Sequence, residues 1–188
     1  ASSCALIAVG GYGRGELNPT SDIDLMFYHN GRKKEEAEQG SQPILYFLWD
    51  LGLDVGYSVR TARDCIDIAG SDITARTAML DSRFLVGDQS LYNNYERNVF
   101  NVLLAQDSRN FIKLKLEENA RRLEKYGSTV YMLEPNIKEG EGGLRDLHTA
   151  IWIARVKYKA KTMRELLIRG VVNEGEYNDF LTAFDYLW

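Results

Sequence analysis

The run "DIDLMFY" at residues 22–28 limits the fold more than any other stretch, because it can bury only one side of its opening residues. Successive side chains of a strand point to opposite faces, so Asp22 and Asp24 share one face while Ile23, Leu25 and Phe27 take the other, into a core. Two steps along a strand span about 6.6 Å, and two negative charges at that distance, in an effective dielectric of about 20, repel by about 2.5 kcal/mol. A hydrated strand end tolerates such a pair, and so does a site with a positive charge between the two. A divalent cation held through oxygens supplies that charge, and Mg²⁺ favours one or two carboxylates combined with phosphate oxygens.

The residues ahead of the pair narrow the choice. "ALIAV" is a short apolar run closed by Gly10 and Gly11, and ten residues separate that glycine pair from Asp22. Glycines at a strand end let backbone N–H groups approach an anion unobstructed. Two familiar phosphate loops are excluded. The chain has no Gly-Lys-Ser/Thr here, and Glu16 stands where a dinucleotide fingerprint requires its last glycine.

With 45% hydrophobic and 27% charged residues among 188, the composition is that of an ordinary globular chain, large enough for one domain or two small ones. No apolar run approaches the length of a membrane span and no signal-peptide pattern opens the chain, so a cytoplasmic protein without a membrane partner is expected. Cys4 and Cys65 lack metal-ligand spacing and read as idle or buried thiols. The net charge of −4 argues against nucleic acid as a partner, but it is uneven. Residues 1–108 carry 9 Lys and Arg against 15 Asp and Glu, residues 109–169 carry 14 against 8, and residues 170–188 carry 0 against 4. The basic middle is either a set of solvated helix faces or a surface for a polyanion.

Periodicity divides the chain into two regimes. "ALIAVGG", "DIDLMFY" and "LDVGYSV" read as strands around a helical "QPILYFLWDLG", an α+β opening with a mixed sheet over residues 1–70. From Ala62 onward the pattern is mainly helical, including "ITARTAMLDSRFLVG", and residues 71–188 are expected to form a helical region that completes a cleft. "YMLEPNIKEGEGG" interrupts the helices as an extended loop. The last helix is still amphipathic at Trp188 without a stop signal, so a longer parent chain is expected.

A Gly-Gly pair after one strand and Asp-x-Asp on the next resemble the signature of the nucleotidyltransferase superfamily, whose members share a DNA-polymerase-β-like core. The resemblance narrows further. "VGGYGRGELNPTSDIDL" at 9–25, "LWDLGLDVGYSVRT" at 48–61 and "EPNIKEGEGGLRDLHTAIWIAR" at 134–155 resemble, in order, the transferase region of the bacterial PII uridylyltransferases. The third motif is foreign to nucleotidyltransferases in general. The resemblance implies UMP transfer from UTP to a tyrosine of the PII nitrogen-regulatory protein, release of pyrophosphate, and dependence on Mg²⁺ or Mn²⁺.

Carried onto these positions, the resemblance makes Asp22 and Asp24 the metal ligands and Asp54 the third carboxylate, either completing the metal site or taking the tyrosine proton. Gly10 and Gly11 would contact phosphates through the backbone, and Ser21 would add a hydroxyl. Arg14 is a candidate to neutralise a phosphate, with a surface arginine as the alternative. Lys138 and Arg145 are candidates for the triphosphate or the partner, against a structural ion pair of Arg145 with Asp146. His148 reads as structural. Relatives of this kind also remove UMP, with a histidine-rich hydrolase, and sense glutamine. His29 and His148, followed by Asn30 and Thr149, cannot build that hydrolase, so this stretch is expected to attach nucleotide without removing it. Two rivals remain: a related enzyme with another nucleotide, such as ATP, or another target, and a catalytically silent nucleotide-binding module.

Overall fold

Ala5–Ala8 forms the first strand, β1, and three of its four residues are wholly buried. The computed structural model describes residues 4–18, 21–32, 34–126 and 136–188. The chain divides into two compact units, Ala1–Leu103 and Leu104–Trp188.

In the first unit β1 runs antiparallel to β2 (Ile23–Tyr28), and β2 runs parallel to β3 (Val55–Arg60). Parallel neighbours need a crossover, and helix α2 (Lys34–Asp50) supplies it. Leu45 and Leu48 of α2 pack on the face of the sheet that carries Ile23, Leu25 and Phe27, as the alternation requires. The opposite face is covered only toward the far end of β2. There the thiol of Cys65, on α3 (Ala62–Ser71), lies 3.7 Å from the Met26 sulfur, and the Tyr28 hydroxyl donates to Asn94 on α5 (Gln89–Tyr95). Asp22 and Asp24 lie at the beginning of that face, Asp22 exposed and Asp24 half-buried beside Gly10.

The expected mixed-sheet α+β class holds, with one difference in extent. "RFLVG", read as helical, is a strand, β4 (Arg83–Gly87), paired antiparallel with β1 to give the order β3-β2-β1-β4. The sheet therefore draws on residues beyond 70. Helix α4 (Ile73–Leu80) stops at Asp81, and the open edge of β1 overrides the local pattern of the residues after it. A wide helical turn at Glu96–Phe100 and helix α6 (Asn101–Ala105) follow α5.

Between β1 and β2 the glycine-rich segment folds into a one-turn helix, α1 (Gly10–Arg14). Gly13 is buried against the main chain of Asp81, and a Cβ there would fall 1.6 Å from the Asp81 carbonyl oxygen. Arg14 donates to Asp81 and to Glu16, each at 2.6 Å. From the first residue of β4, Arg83 donates to the Tyr12 and Gly13 carbonyls at 2.8 and 3.3 Å and stacks over the Tyr12 ring. These contacts fix α1 to the end of α4 and the start of β4.

The second unit contains α7 (Ser108–Tyr126), α8 (Leu144–Tyr158), α9 (Met163–Ile168) and α10 (Glu174–Leu187), packed around Phe111, Trp152, Val156 and Leu166. Among the described residues no helix is long and apolar enough to cross a membrane.

The Gly13 contact is with backbone, which cannot rotate away. Gly13→Ala should cost about 3 kcal/mol or prevent folding, read from urea unfolding. An unchanged midpoint would show that α1 can lift off Asp81.

Candidate active site

Asp24 is the second residue of β2 and is half-buried, whereas Asp22, one residue before the strand, is exposed. The Asp24 carboxylate lies between two glycines. A Cβ on Gly10 would come to 3.1 Å from its Oδ2, and a Cβ on Gly56, its partner across the β2–β3 ladder, to 2.8 Å from its Oδ1. Gly10 has φ +60°, a left-handed conformation that glycine adopts without strain. Partial burial raises the pKa of Asp24 above the ordinary carboxylate value, and the nearby charge of Asp22 raises it further. The repulsion expected from the sequence is thus present at this pair.

Asp54 immediately precedes β3 and is exposed, and its carbonyl accepts the N–H of Ile23 at 2.8 Å. The ladder opens with Ile23 opposite Val55, so Asp22 and Asp54 each immediately precede it on neighbouring strands. The arrangement is open: among the described residues no three His, Cys, Asp or Glu side chains gather into a metal-holding group. Mg²⁺ does not require such a cage, since one or two carboxylates with substrate phosphates suffice. The pair at 22 and 24 fits that donor set. Ser21 is half-buried next to the pair, with its N–H on the Asn18 carbonyl.

Arg14 differs from the phosphate-neutralising role. Burial opposes its charge, but Asp81 and Glu16 outweigh that, and its pKa is raised. Its guanidinium serves two carboxylates of its own chain, and Asp81 is almost completely enclosed. It is a structural clamp.

In the second unit the described part of the third motif is a tight turn, not an extended loop; Tyr131–Pro135 lie outside the described residues. Asn136 Oδ1 accepts the N–H groups of Lys138 and Glu139. Arg122 of α7 donates to the Glu139 and Gly140 carbonyls, to Asn119 and to Asp146, while Asp146 also accepts the Gly142 N–H at 2.8 Å. Arg145 does form an ion pair, but with Glu139 at 2.9 Å and not with Asp146. Burial works against the Glu139 charge, yet the hydrogen bond and charge of Arg145, with Lys138 and Arg122, hold its pKa below the usual range. Lys138 is exposed on the turn. His148 packs between Trp152 and Phe184, the structural place expected for it.

Sequence reasoning missed Gly13, Gly56, Asp81 and Arg83. Glycine inside a strand-like run, as in "LDVGYSV", signals a close approach and could have marked Gly56. Nothing local marks Asp81 or Arg83 as partners of a turn some 70 residues earlier.

Sequence comparison finds likenesses in both units. A nucleotidyltransferase-domain model matches residues 4–74. A second model, described as GlnD PII-uridylyltransferase, matches residues 110–188. A curated relative from Erythrobacter litoralis, named bifunctional uridylyltransferase/uridylyl-removing enzyme, is 44% identical over 183 residues, 97% of this chain and 20% of the relative. The chain thus spans about a fifth of the length of the curated relative it matches.

Two outcomes follow from these geometries. A carboxyl whose pKa is higher in the folded chain than in the unfolded one holds its proton more readily when folded, so it lowers stability as pH rises through the raised value. Asp24→Asn should therefore stabilise the metal-free chain at neutral pH, and the advantage should vanish below about pH 4; thermal melts across pH measure it. Arg145→Ala should cost about 1 kcal/mol by unpairing Glu139, and an unchanged melting temperature would count against the structural pairing.

Proposed function

We propose that this chain is the transferring part of a PII-modifying enzyme: it moves UMP from UTP to a tyrosine hydroxyl of a PII-type signalling protein and releases pyrophosphate. The observation that carries the reading is the half-buried Asp24 beside Asp22, at a Gly-Gly turn of a chain 44% identical to a named uridylyltransferase. A module that only bound nucleotide would have little reason to keep two carboxylates in mutual repulsion.

Asp22 and Asp24 are the residues that would hold Mg²⁺ or Mn²⁺. Bound there, a cation would offset negative charge on the triphosphate while pyrophosphate is displaced from the α-phosphorus. The protein's own part is binding, orientation and proton handling. Gly10 and Gly11 leave main-chain groups open to the triphosphate, and Ser21 adds a hydroxyl beside it. Asp54, exposed on the neighbouring strand, takes the phenolic proton as the tyrosine oxygen bonds to phosphorus and the bond to pyrophosphate breaks. The chain's two histidines, His29 and His148, are too few for a histidine-rich hydrolase centre, which supports transfer without removal by this stretch.

The test incubates purified chain with Mg²⁺ or Mn²⁺, labelled UTP or ATP, and PII protein. Label from UTP should appear on PII, and the Asp22→Asn, Asp24→Asn double variant should fall to the no-enzyme level while remaining folded. Label from ATP alone would replace the nucleotide in this reading. Unchanged transfer by the double variant would remove the carboxylate pair from the chemistry.

A further inference from the structure

Glycine weakens a strand interior, because it loses more backbone freedom on folding than other residues and contributes no side chain to packing. Gly56 nevertheless occupies the second position of β3, an edge strand of the sheet. Its backbone does not explain this, since Gly56 is not among the glycines with positive φ. Its surroundings do. In the parallel ladder Gly56 is directly opposite Asp24, and a Cβ there would lie 2.8 Å from Asp24 Oδ1, closer than real Cβ contacts come. The other carboxylate oxygen is confined from the opposite side by Gly10.

We propose that Gly56 is a positioning residue whose bare Cα keeps the space in which the Asp24 carboxylate lies between β3 and the Gly10 turn, alongside Asp22. A methyl group at 56 would meet no backbone, only the end of a side chain that can rotate. The fold therefore tolerates the change, and the direction of the carboxylate does not. Gly56 acts through Asp24, so its effect disappears when that carboxylate is absent. The inference rests on the reading that Asp24 holds a cation for nucleotidyl transfer, and its test separates the two.

The experiment compares Gly56→Ala with Gly40→Ala, which places the same methyl group at a helical glycine with open space around it. Mn²⁺ binding is measured with UTP present, by electron paramagnetic resonance, together with turnover on PII and thermal unfolding. Gly56→Ala should weaken Mn²⁺ binding at least about 10-fold, the scale seen when groups that orient metal ligands are changed. The same variant should lower kcat without raising KM for PII, and Gly40→Ala should leave both at parent values. Mn²⁺ affinity and kcat within two-fold of the parent in Gly56→Ala would overturn the proposal.

A thermal-unfolding cycle with Asp24→Ala needs neither metal nor nucleotide. Any destabilisation by Gly56→Ala should vanish in the Asp24→Ala background, leaving only the small gain that alanine brings to a strand, and a Gly56→Ala chain that fails to fold should be rescued there. Additive shifts, or a pair that stays unfolded, would overturn the proposal. A parent chain that transfers no UMP but shows the coupling would refute the functional reading and leave the role of Gly56 standing.

Discussion

A carboxylate that is half-buried next to another carboxylate opposes folding twice, through lost hydration and through repulsion, and the first unit is arranged around holding Asp24 in that state. The sheet makes it possible. Residues 25, 27, 55 and 45 form a sealed apolar cluster behind Asp24, so β2 cannot shift by one residue without placing Leu25 and Phe27 on the other face. In front of Asp24 the neighbouring main chains carry no side chains that would crowd it, because Gly10 and Gly56 occupy those positions. Met26 and Tyr28, on the same face further along, are covered by α3 and α5. The burial of Asp24 is thus set by where that covering layer stops.

Placing Gly10 against Asp24 requires a stationary α1, and a one-turn helix has little stability of its own. Contacts from far along the chain provide it. The almost fully enclosed Asp81 carboxylate would be expensive without a cation, and Arg14 reaches it from the last position of α1. Gly13 lets the two backbones touch, and Arg83 holds the carbonyls of Tyr12 and Gly13 from β4. The fourth strand, past the end of the region that matches the nucleotidyltransferase model, therefore supports α1 as well as extending the sheet.

The basic middle of the chain follows a similar logic. Its excess of Lys and Arg suggested a polyanion-binding surface, but several of its cations are used internally. Lys115 is buried with Glu118 and lies over the Trp152 ring, Arg122 binds two carbonyls and Asp146, and Arg145 pairs with Glu139. A formal charge count treats these groups as if they faced water. In the folded unit Arg122 and Arg145 act as fixed hydrogen-bond donors that shape the turn at 136–143, and partner binding cannot be read from the sum.

What the sequence made legible divides along the range of the interactions involved. Strands β1, β2 and β3, the shared face of Asp22 and Asp24, and the core face of Ile23, Leu25 and Phe27 depend on neighbours two residues apart, and the alternating pattern displays them. The third motif was legible by family resemblance and read as an extended loop, whereas Asn136 closes it locally by accepting from Lys138 and Glu139. The misreadings arose where a partner is set only by the folded chain, far away for residues 83–87 and across a short turn for Arg145. Residues 83–87 have no strand character strong enough to declare itself until β1 presents an open edge. Arg14 looks like a free cation in a phosphate loop until Asp81 arrives beside it, and Arg145 looks paired with its sequence neighbour until the turn brings Glu139 closer. Gly56 is the intermediate case: its misfit inside a strand is visible locally, but the reason for it, a carboxylate on the adjacent strand, exists only once the register of β2 and β3 is set.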